Sequence, residues 1–199
     1  MKKYLSTKNI ARIAILASLG ALLMVLDFPI SFIAPSFYKL DLSDLPCLIG
    51  GFAMGEIPGL LILIIKIMLK LLIKPSSTAF VGEITSFIFS ASMIIPASRI
   101  YQKNKNKKGA IKAIVISSII MVIVSIIGNY FFSIPFYSSL YHVEEADIIA
   151  MGKAIIPIIN NKLSFVLLCV GPFNIIKAVI IDLLTIVLYK HISPLLKDR

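Results

Sequence analysis

The chain has 199 residues, of which 58% are hydrophobic, and its 20 Lys and Arg against 10 Asp and Glu give a formal net charge of +10. Several apolar runs reach the roughly 20 residues that a helix needs to cross a bilayer. This composition excludes an ordinary soluble domain and indicates an all-α integral membrane protein, with one domain over residues 1–199. In a membrane protein an excess of basic residues reflects the orientation in the bilayer rather than binding of nucleic acid. We therefore expect the chain to lie in the lipid bilayer and to bind no nucleic acid.

Residue patterns that mark catalysis or metal binding are not found. Cys47 and Cys169 lie in apolar segments, and His142 and His191 are isolated, so no metal-ligand spacing occurs. There is no Walker A sequence and no Ser/His/Asp-type arrangement. We therefore expect no catalytic residue, no metal and no ATP hydrolysis by this chain alone.

Six apolar segments follow one another and predict a bundle of six transmembrane helices. We place them at about 10–26, at 45–54, after the turn at 55–59 up to about 73, and at 78–101, 110–132 and 164–189. The segment 27–44 is rich in aromatic residues and contains two prolines, which predicts an ordered lid on the membrane or over a cavity. A second loop on the same side spans about 133–163, and Pro172 predicts tilt or a broken first turn in the last span.

Small residues recur at four-residue spacing in the first span, at Ala14 and Ser18 and at Ala17 and Ala21. Such faces allow another helix to approach closely. Internal packing and docking of a partner protein are equally compatible with this pattern.

The distribution of Lys and Arg predicts the orientation. The two termini and the region 99–112 hold thirteen of the twenty, whereas the opposite loops hold five, and Lys66 and Lys177 lie within spans. Because cytoplasmic loops are enriched in these residues, we expect a multi-pass protein of the cell membrane with both termini in the cytoplasm.

Strong polar groups interrupt three predicted spans at a similar depth. Glu83 lies near the outer start of the fourth span and Asn129 near the outer end of the fifth, while Asn174 and Lys177 share one face of the sixth. A Lys near the centre of a spanning helix costs roughly 2.5–3.5 kcal/mol on insertion scales, so such groups need a partner or a ligand. They indicate either a pocket that opens to the outside or helix contacts that are purely structural.

The chemistry of these groups suggests a class of ligand. Asn amides offer a donor and an acceptor to an imide edge, a Lys donates to a carbonyl or ring nitrogen, and aromatic residues supply stacking surface. A planar heterocycle with an imide edge fits, although other vitamins remain open. Asp182 lies deeper and is interpreted as a structural partner of Lys66 or Lys177.

Taken together, five stretches make the chain resemble a known family, the substrate-binding S components of energy-coupling factor (ECF) transporters, and in particular their riboflavin-binding branch. They are the small-residue first helix, residues 38–46 leading into a glycine-rich second span, Gly82-Glu83, residues 129–131 followed by Pro135 and Tyr137, and residues 172–177.

The resemblance implies a six-helix protein that captures riboflavin from outside. Transport would require a transmembrane T component and two ATP-binding cassette ATPases, with riboflavin as the transported ligand and no cofactor. It implies that Asn129, Asn174 and Lys177 hold the flavin ring under the lid. The matching stretches give as further candidate contacts Tyr38, Leu40, Asp41, Ser43, Thr78, Gly82 and Glu83.

The resemblance also implies that the small-residue face of the first helix, made of Ala14, Ala17, Ser18 and Ala21, docks the T component. This chain departs from the family pattern at three places. Ser18 stands where an Ala is usual, Thr85-Ser86 where an Asn often occurs, and Ile67 where an Asn often follows Lys66.

Three other functions remain as alternatives. The first is an S component for another vitamin or precursor. The second is a small membrane enzyme acting on lipid, which would need paired aspartates or a metal site facing the cytoplasm, and Asp182 alone is insufficient. The third is a self-sufficient carrier or channel, which would need a polar path to the cytoplasmic side.

Overall fold

A computed structural model describes the backbone of residues 6–196 and the side chains of residues 6–188. His191 and the terminal basic residues used for the orientation prediction therefore lie outside the described side chains. These basic residues are Lys2, Lys3, Lys190, Lys197 and Arg199.

Helices dominate the described chain. They are α1 Thr7–Val25, α2 Asp44–Met54, α3 Glu56–Ile73, α4 Val81–Lys103, α5 Lys107–Gly128, α6 Ile134–Tyr141, α7 Glu145–Ile155, α8 Lys162–Phe165 and α9 Gly171–Leu196. Two short strands, β1 Phe28–Pro29 and β2 Lys39–Leu40, pair antiparallel within the predicted lid. The π-helical turns Asn129–Ser133 and Val166–Val170 join α5 to α6 and α8 to α9.

Four helical stretches are long and apolar enough to cross a membrane by length and composition. They are Thr7–Val25, Val81–Lys103, Lys107–Tyr141 and Lys162–Leu188, and they overlap the predicted first, fourth, fifth and sixth spans. The predicted second span is the 11-residue helix α2, and the third is α3, an 18-residue helix that carries Glu56, Lys66 and Lys70. The structure is thus mostly helical and membrane-spanning, and the count of six spans stays a prediction.

Several element boundaries differ from the predictions for local reasons. The fourth helix begins at Val81 rather than at 78, because Ala79 and Phe80 adopt positive φ angles of 46° and 69°, which a right-handed helix excludes. No break occurs at Pro172, since the helix is continuous there and the irregularity is the π-helical turn just before it. The outer loop contains the helix α7, which was not predicted.

The small-residue face of α1 divides into two sides with different environments. Ala17 and Ala21 are 0% and 1% exposed and belong to the interior, whereas Ala14 and Ser18 are exposed. The prediction of a docking face is therefore corrected for Ala17 and Ala21, because a buried side chain offers no surface to a partner. Internal packing explains one pair, and only the other remains available on the outside.

Glycines let α2 and α3 pack almost backbone to backbone. A Cβ atom added to Gly59 would lie 2.9 Å from Ile94 of α4 and 3.1 Å from the Cα of Gly51 in α2. Gly171 at the start of α9 contrasts with this site, because the nearest atom to its added Cβ is 3.5 Å away. The first contact is tighter than ordinary van der Waals packing, whereas the second is normal.

We expect Gly59→Ala to lower the free energy of unfolding by roughly 1–3 kcal/mol through overpacking. The matched variant Gly171→Ala gains the same helix propensity without the close contact, so its stability should be unchanged or slightly higher. Thermal unfolding of both purified variants in detergent measures the difference. Equal stability of the two variants would contradict the close packing of α2 against α3.

Candidate ligand-binding site

A cavity of about 370 Å³ lies between the lid and the ends of four helical segments. Its walls come from the lid, from the end of α3 and the start of α4, from the π-helical turn after α5, and from the first turns of α9. Segments that are distant in sequence therefore meet at one end of the bundle, beneath the segment that the sequence predicted to be a lid.

Most of the predicted contact residues line this cavity. Those that do are Tyr38, Asp41, Thr78, Gly82, Glu83, Asn129, Asn174 and Lys177. Leu40 and Ser43 are not among the described lining residues. The Leu40 side chain is buried in a separate apolar cluster with Phe165 and Phe173, and the Ser43 hydroxyl accepts a hydrogen bond from Lys66. Neither side chain lines the cavity, because each is engaged in another buried contact.

Both predicted asparagines are held by the same local interaction. The side-chain amide of Asn129 donates to the carbonyl of Ser125 at 2.8 Å, and that of Asn174 donates to the carbonyl of Val170 at 2.9 Å. Each bond spans four residues and orients an amide whose remaining groups are available for recognition. Asn129 is the first residue of one π-helical turn and Asn174 follows the other, so irregular helix geometry positions both side chains.

Tyr38 closes the cavity from the lid. Its hydroxyl donates to the Asn129 Oδ1 at 2.8 Å, and its ring lies 5.8 Å from that of Phe173, measured between centroids. Burial raises the pKa of the Tyr38 hydroxyl far above its ordinary value, so the group stays protonated and acts as a donor. This hydrogen bond connects the lid to Asn129, one of the two asparagines predicted to contact the ligand.

Lys177 joins the lid to the interior through a chain of ion pairs. Its Nζ lies 3.0 Å from Asp41 of the lid and 3.5 Å from Asp44 of α2. Asp44 also receives hydrogen bonds from Lys66 at 2.6 Å and from Ser90 at 2.5 Å. Lys66 is completely buried, so its charge is balanced by direct contact with Asp44 rather than by solvent.

A second ion pair forms the wall between α3 and α4. Lys70 donates to Glu83 at 2.6 Å, and the side chains are 11% and 8% exposed. The hydroxyl of Ser76 donates to the other Glu83 oxygen at 2.8 Å, and that of Thr78 lies 3.4 Å from it. The predicted contact Glu83 is thus already neutralised by a cation.

Asp182 pairs with neither Lys66 nor Lys177, which corrects the predicted partner of this residue. Its Oδ2 accepts a hydrogen bond from Ser118 of α5 at 2.6 Å, away from the cavity. Both lysines bind carboxylates nearer the lid. Asp182 and Lys177 lie five residues apart in α9, but their side chains have different partners.

Several cavity residues were not selected from the sequence. They include Asp27, Asp44, Lys70, Lys74, Ser90, Tyr137 and Phe173. The spacing of Lys66 and Lys70 by one helical turn was an available signal, since it places two cations on one face of α3. The prolines Pro135 and Pro172 were another, because each follows a π-helical turn by two residues.

A second, more apolar cavity of about 310 Å³ adjoins the first and shares Tyr38 and Tyr137 with it. Its other walls include Ile148 and Met151 of α7, so the unpredicted outer helix covers this space. Within the described residues no group of three or more His, Cys, Asp or Glu side chains is placed to hold a metal.

Known proteins resemble this chain in both sequence and fold. Residues 8–189 match the family described as ECF transporter, substrate-specific component. The chain is 30% identical over 190 residues to the riboflavin transporter RibU of Staphylococcus aureus (strain TCH60), covering 96% of this chain and 93% of that protein. It is 25% identical over 196 residues to the riboflavin transporter FmnP of Bacillus subtilis (strain 168), covering 98% and 97%.

A solved structure described as the S component of a bacterial ECF transporter matches with a TM-score of 0.72 and 30% identity, over 95% of this chain and 97% of that one. Both the family match and the structural match span nearly the whole chain. The chain therefore belongs to the ECF transporter, substrate-specific component family and is a transporter subunit rather than an enzyme.

Proposed function

We propose that this chain captures riboflavin in the cavity beneath the lid and delivers it across the membrane when it is coupled to a T component and two ATPases. The observation that carries the proposal is the convergence of Asn129, Asn174 and Lys177 on one cavity closed by Tyr38. The relatives named riboflavin transporters, which align over nearly the full chain, support the choice of ligand.

The geometry suits a planar ring with an imide edge. Each asparagine uses one N–H on its own helix, so an amide N–H and an oxygen are left for a ligand once Tyr38 releases Asn129. The ammonium of Lys177 has three donors, and its two carboxylate neighbours leave one for a ligand carbonyl. Rings of Tyr38 and Phe173 supply apolar contact surface.

The membrane arrangement belongs to the same proposal. One domain over 1–199 would cross the membrane six times, with α2 and α3 as the second and third spans and both termini in the cytoplasm. The charge distribution supports this orientation. The lid then faces outside, where the ligand arrives, and the exposed Ala14 and Ser18 side of α1 is the surface on which the T component docks.

We expect Asn174→Ala to weaken riboflavin binding by about 1–3 kcal/mol, because the ligand loses a hydrogen-bond partner in a buried site. Lys177→Ala should weaken it at least as much, since it also leaves Asp41 without its cation. Quenching of flavin fluorescence by the purified chain in detergent measures both affinities. Unchanged affinity in both variants would show that these residues have a structural role only. Saturable binding of a different vitamin, but not of riboflavin, by the parent chain would identify that vitamin as the ligand instead.

The two sides of α1 should respond differently to the same substitution. Ala14→Leu adds bulk to an exposed position and should preserve riboflavin binding while reducing uptake by the assembled transporter. Ala17→Leu adds bulk to a fully buried position and should lower the melting temperature of the isolated chain. Normal uptake by the Ala14 variant would place the docking surface elsewhere.

Cysteine labelling tests the orientation. Cys47 and Cys169 are both buried, so an introduced cysteine at an exposed position dominates the reaction with a membrane-impermeant maleimide. In intact cells Ser139→Cys should react from outside, whereas Lys105→Cys should react only after the membrane is opened. The opposite pattern would invert the proposed topology.

A further inference from the structure

Opposite charges balance along the wall of the main cavity. Four lysines line it, Lys39, Lys70, Lys74 and Lys177, together with four carboxylates, Asp27, Asp41, Asp44 and Glu83. All eight side chains belong to the described residues. The cavity therefore presents charged groups of both signs at high density, and one of these carboxylates, Asp44, is also paired with the buried Lys66.

Each of these lysines has a carboxylate beside it. Lys74 lies 2.8 Å and Lys39 lies 3.7 Å from Asp27, in pairs that are partly exposed. Lys177 lies 3.0 Å from Asp41, and the Lys70–Glu83 pair, at 2.6 Å, is among the least exposed. Lys70 is thus a cation that a ligand would meet only together with the charge that cancels it.

The Lys70–Glu83 pair, which is neutral as a unit, interacts differently with two kinds of ligand tail. A hydroxyl-bearing chain donates to the carboxylate of Glu83 and accepts from Lys70 or Thr78 without bringing a charge into the cavity. A phosphate monoester carries a charge of about −1.5 to −2 at pH 7. Beside Glu83 it would lose hydration, find Lys70 already paired, and lie next to a carboxylate of the same sign.

We propose that Glu83, by neutralising Lys70, is a specificity-determining residue that admits the neutral hydroxylated form of the flavin and rejects its phosphate ester. The proposal rests on riboflavin capture as the function of the cavity. Glu83 then selects against a charged tail at the α3–α4 wall, while the asparagines and Lys177 at the α5 and α9 wall read the ring.

The test is the ratio of two dissociation constants, that of flavin mononucleotide over that of riboflavin, measured by fluorescence quenching on the purified chain. The parent chain should bind riboflavin more tightly. Glu83→Gln removes the carboxylate and frees Lys70 for the phosphate, so the ratio should fall by about tenfold or more. Lys70→Met leaves the carboxylate unopposed, so the ratio should rise.

Two further variants separate this effect from a general disturbance. The double variant Lys70→Met with Glu83→Gln removes both charges and should not show the fall seen with Glu83→Gln alone. Asp182→Asn neutralises a carboxyl group outside the cavity and should leave the ratio unchanged. Saturable riboflavin binding shows that each variant is folded, and the opposite signs expected at Lys70 and Glu83 keep the test valid if one of them fails to fold.

The outcomes distinguish the two proposals. A parent chain that is folded and binds neither flavin overturns riboflavin capture, and the role of Glu83 with it. A parent chain that binds both flavins equally, or a ratio that Glu83→Gln changes by less than twofold while riboflavin still binds, overturns the role of Glu83 alone. A fall of the same size in the double variant would also overturn it, because the freed Lys70 would not be its cause.

Discussion

The buried ion pair of Lys66 and Asp44 joins α3 to α2 in the interior of the bundle. The two side chains are 0% and 6% exposed, so neither charge can be separated from the other without a large desolvation cost. The pair also fixes the neighbouring helix, because a Cβ atom added to Gly20 of α1 would lie 3.2 Å from the Lys66 side chain. One glycine, one cation and one carboxylate thereby hold α1, α2 and α3 in contact.

The Lys66–Asp44 pair is connected to the cavity because Asp44 also contacts Lys177. Lys177 lies between Asp44 and the lid residue Asp41, so a group on α9 that faces the cavity is connected to both the interior and the lid. Tyr38 adds a second fastening of the lid at Asn129. In the proposed function, ligand recognition and lid closure use the same few polar atoms, so a bound ligand would compete with the contacts that hold the lid in place.

In the proposed function, the two sides of α1 have different roles, one in supporting the cavity and the other in docking the T component. Its inner side, with Ala17 and Gly20, packs against the helices that carry the ion pair. Its outer side, with Ala14 and Ser18, is free in the isolated chain. Because the two sides share one rigid helix, a partner held on the outer side would bear directly on the elements that support the cavity.

The sequence by itself determined the membrane class, four of the spans, the ordered segment 27–44, and three polar residues that line the cavity, Asn129, Asn174 and Lys177. Apolar length and polar groups inside apolar segments can be recognised one segment at a time. Only the tertiary structure decided the partners. It joined Lys66 to Asp44 and Lys70 to Glu83, left Asp182 with Ser118, and turned Ala17 inward. The physical reason is that pairing depends on the distance between helices and on their rotation, and no local pattern records either. The π-helical turns before α6 and α9 are a further irregularity that the sequence analysis did not predict.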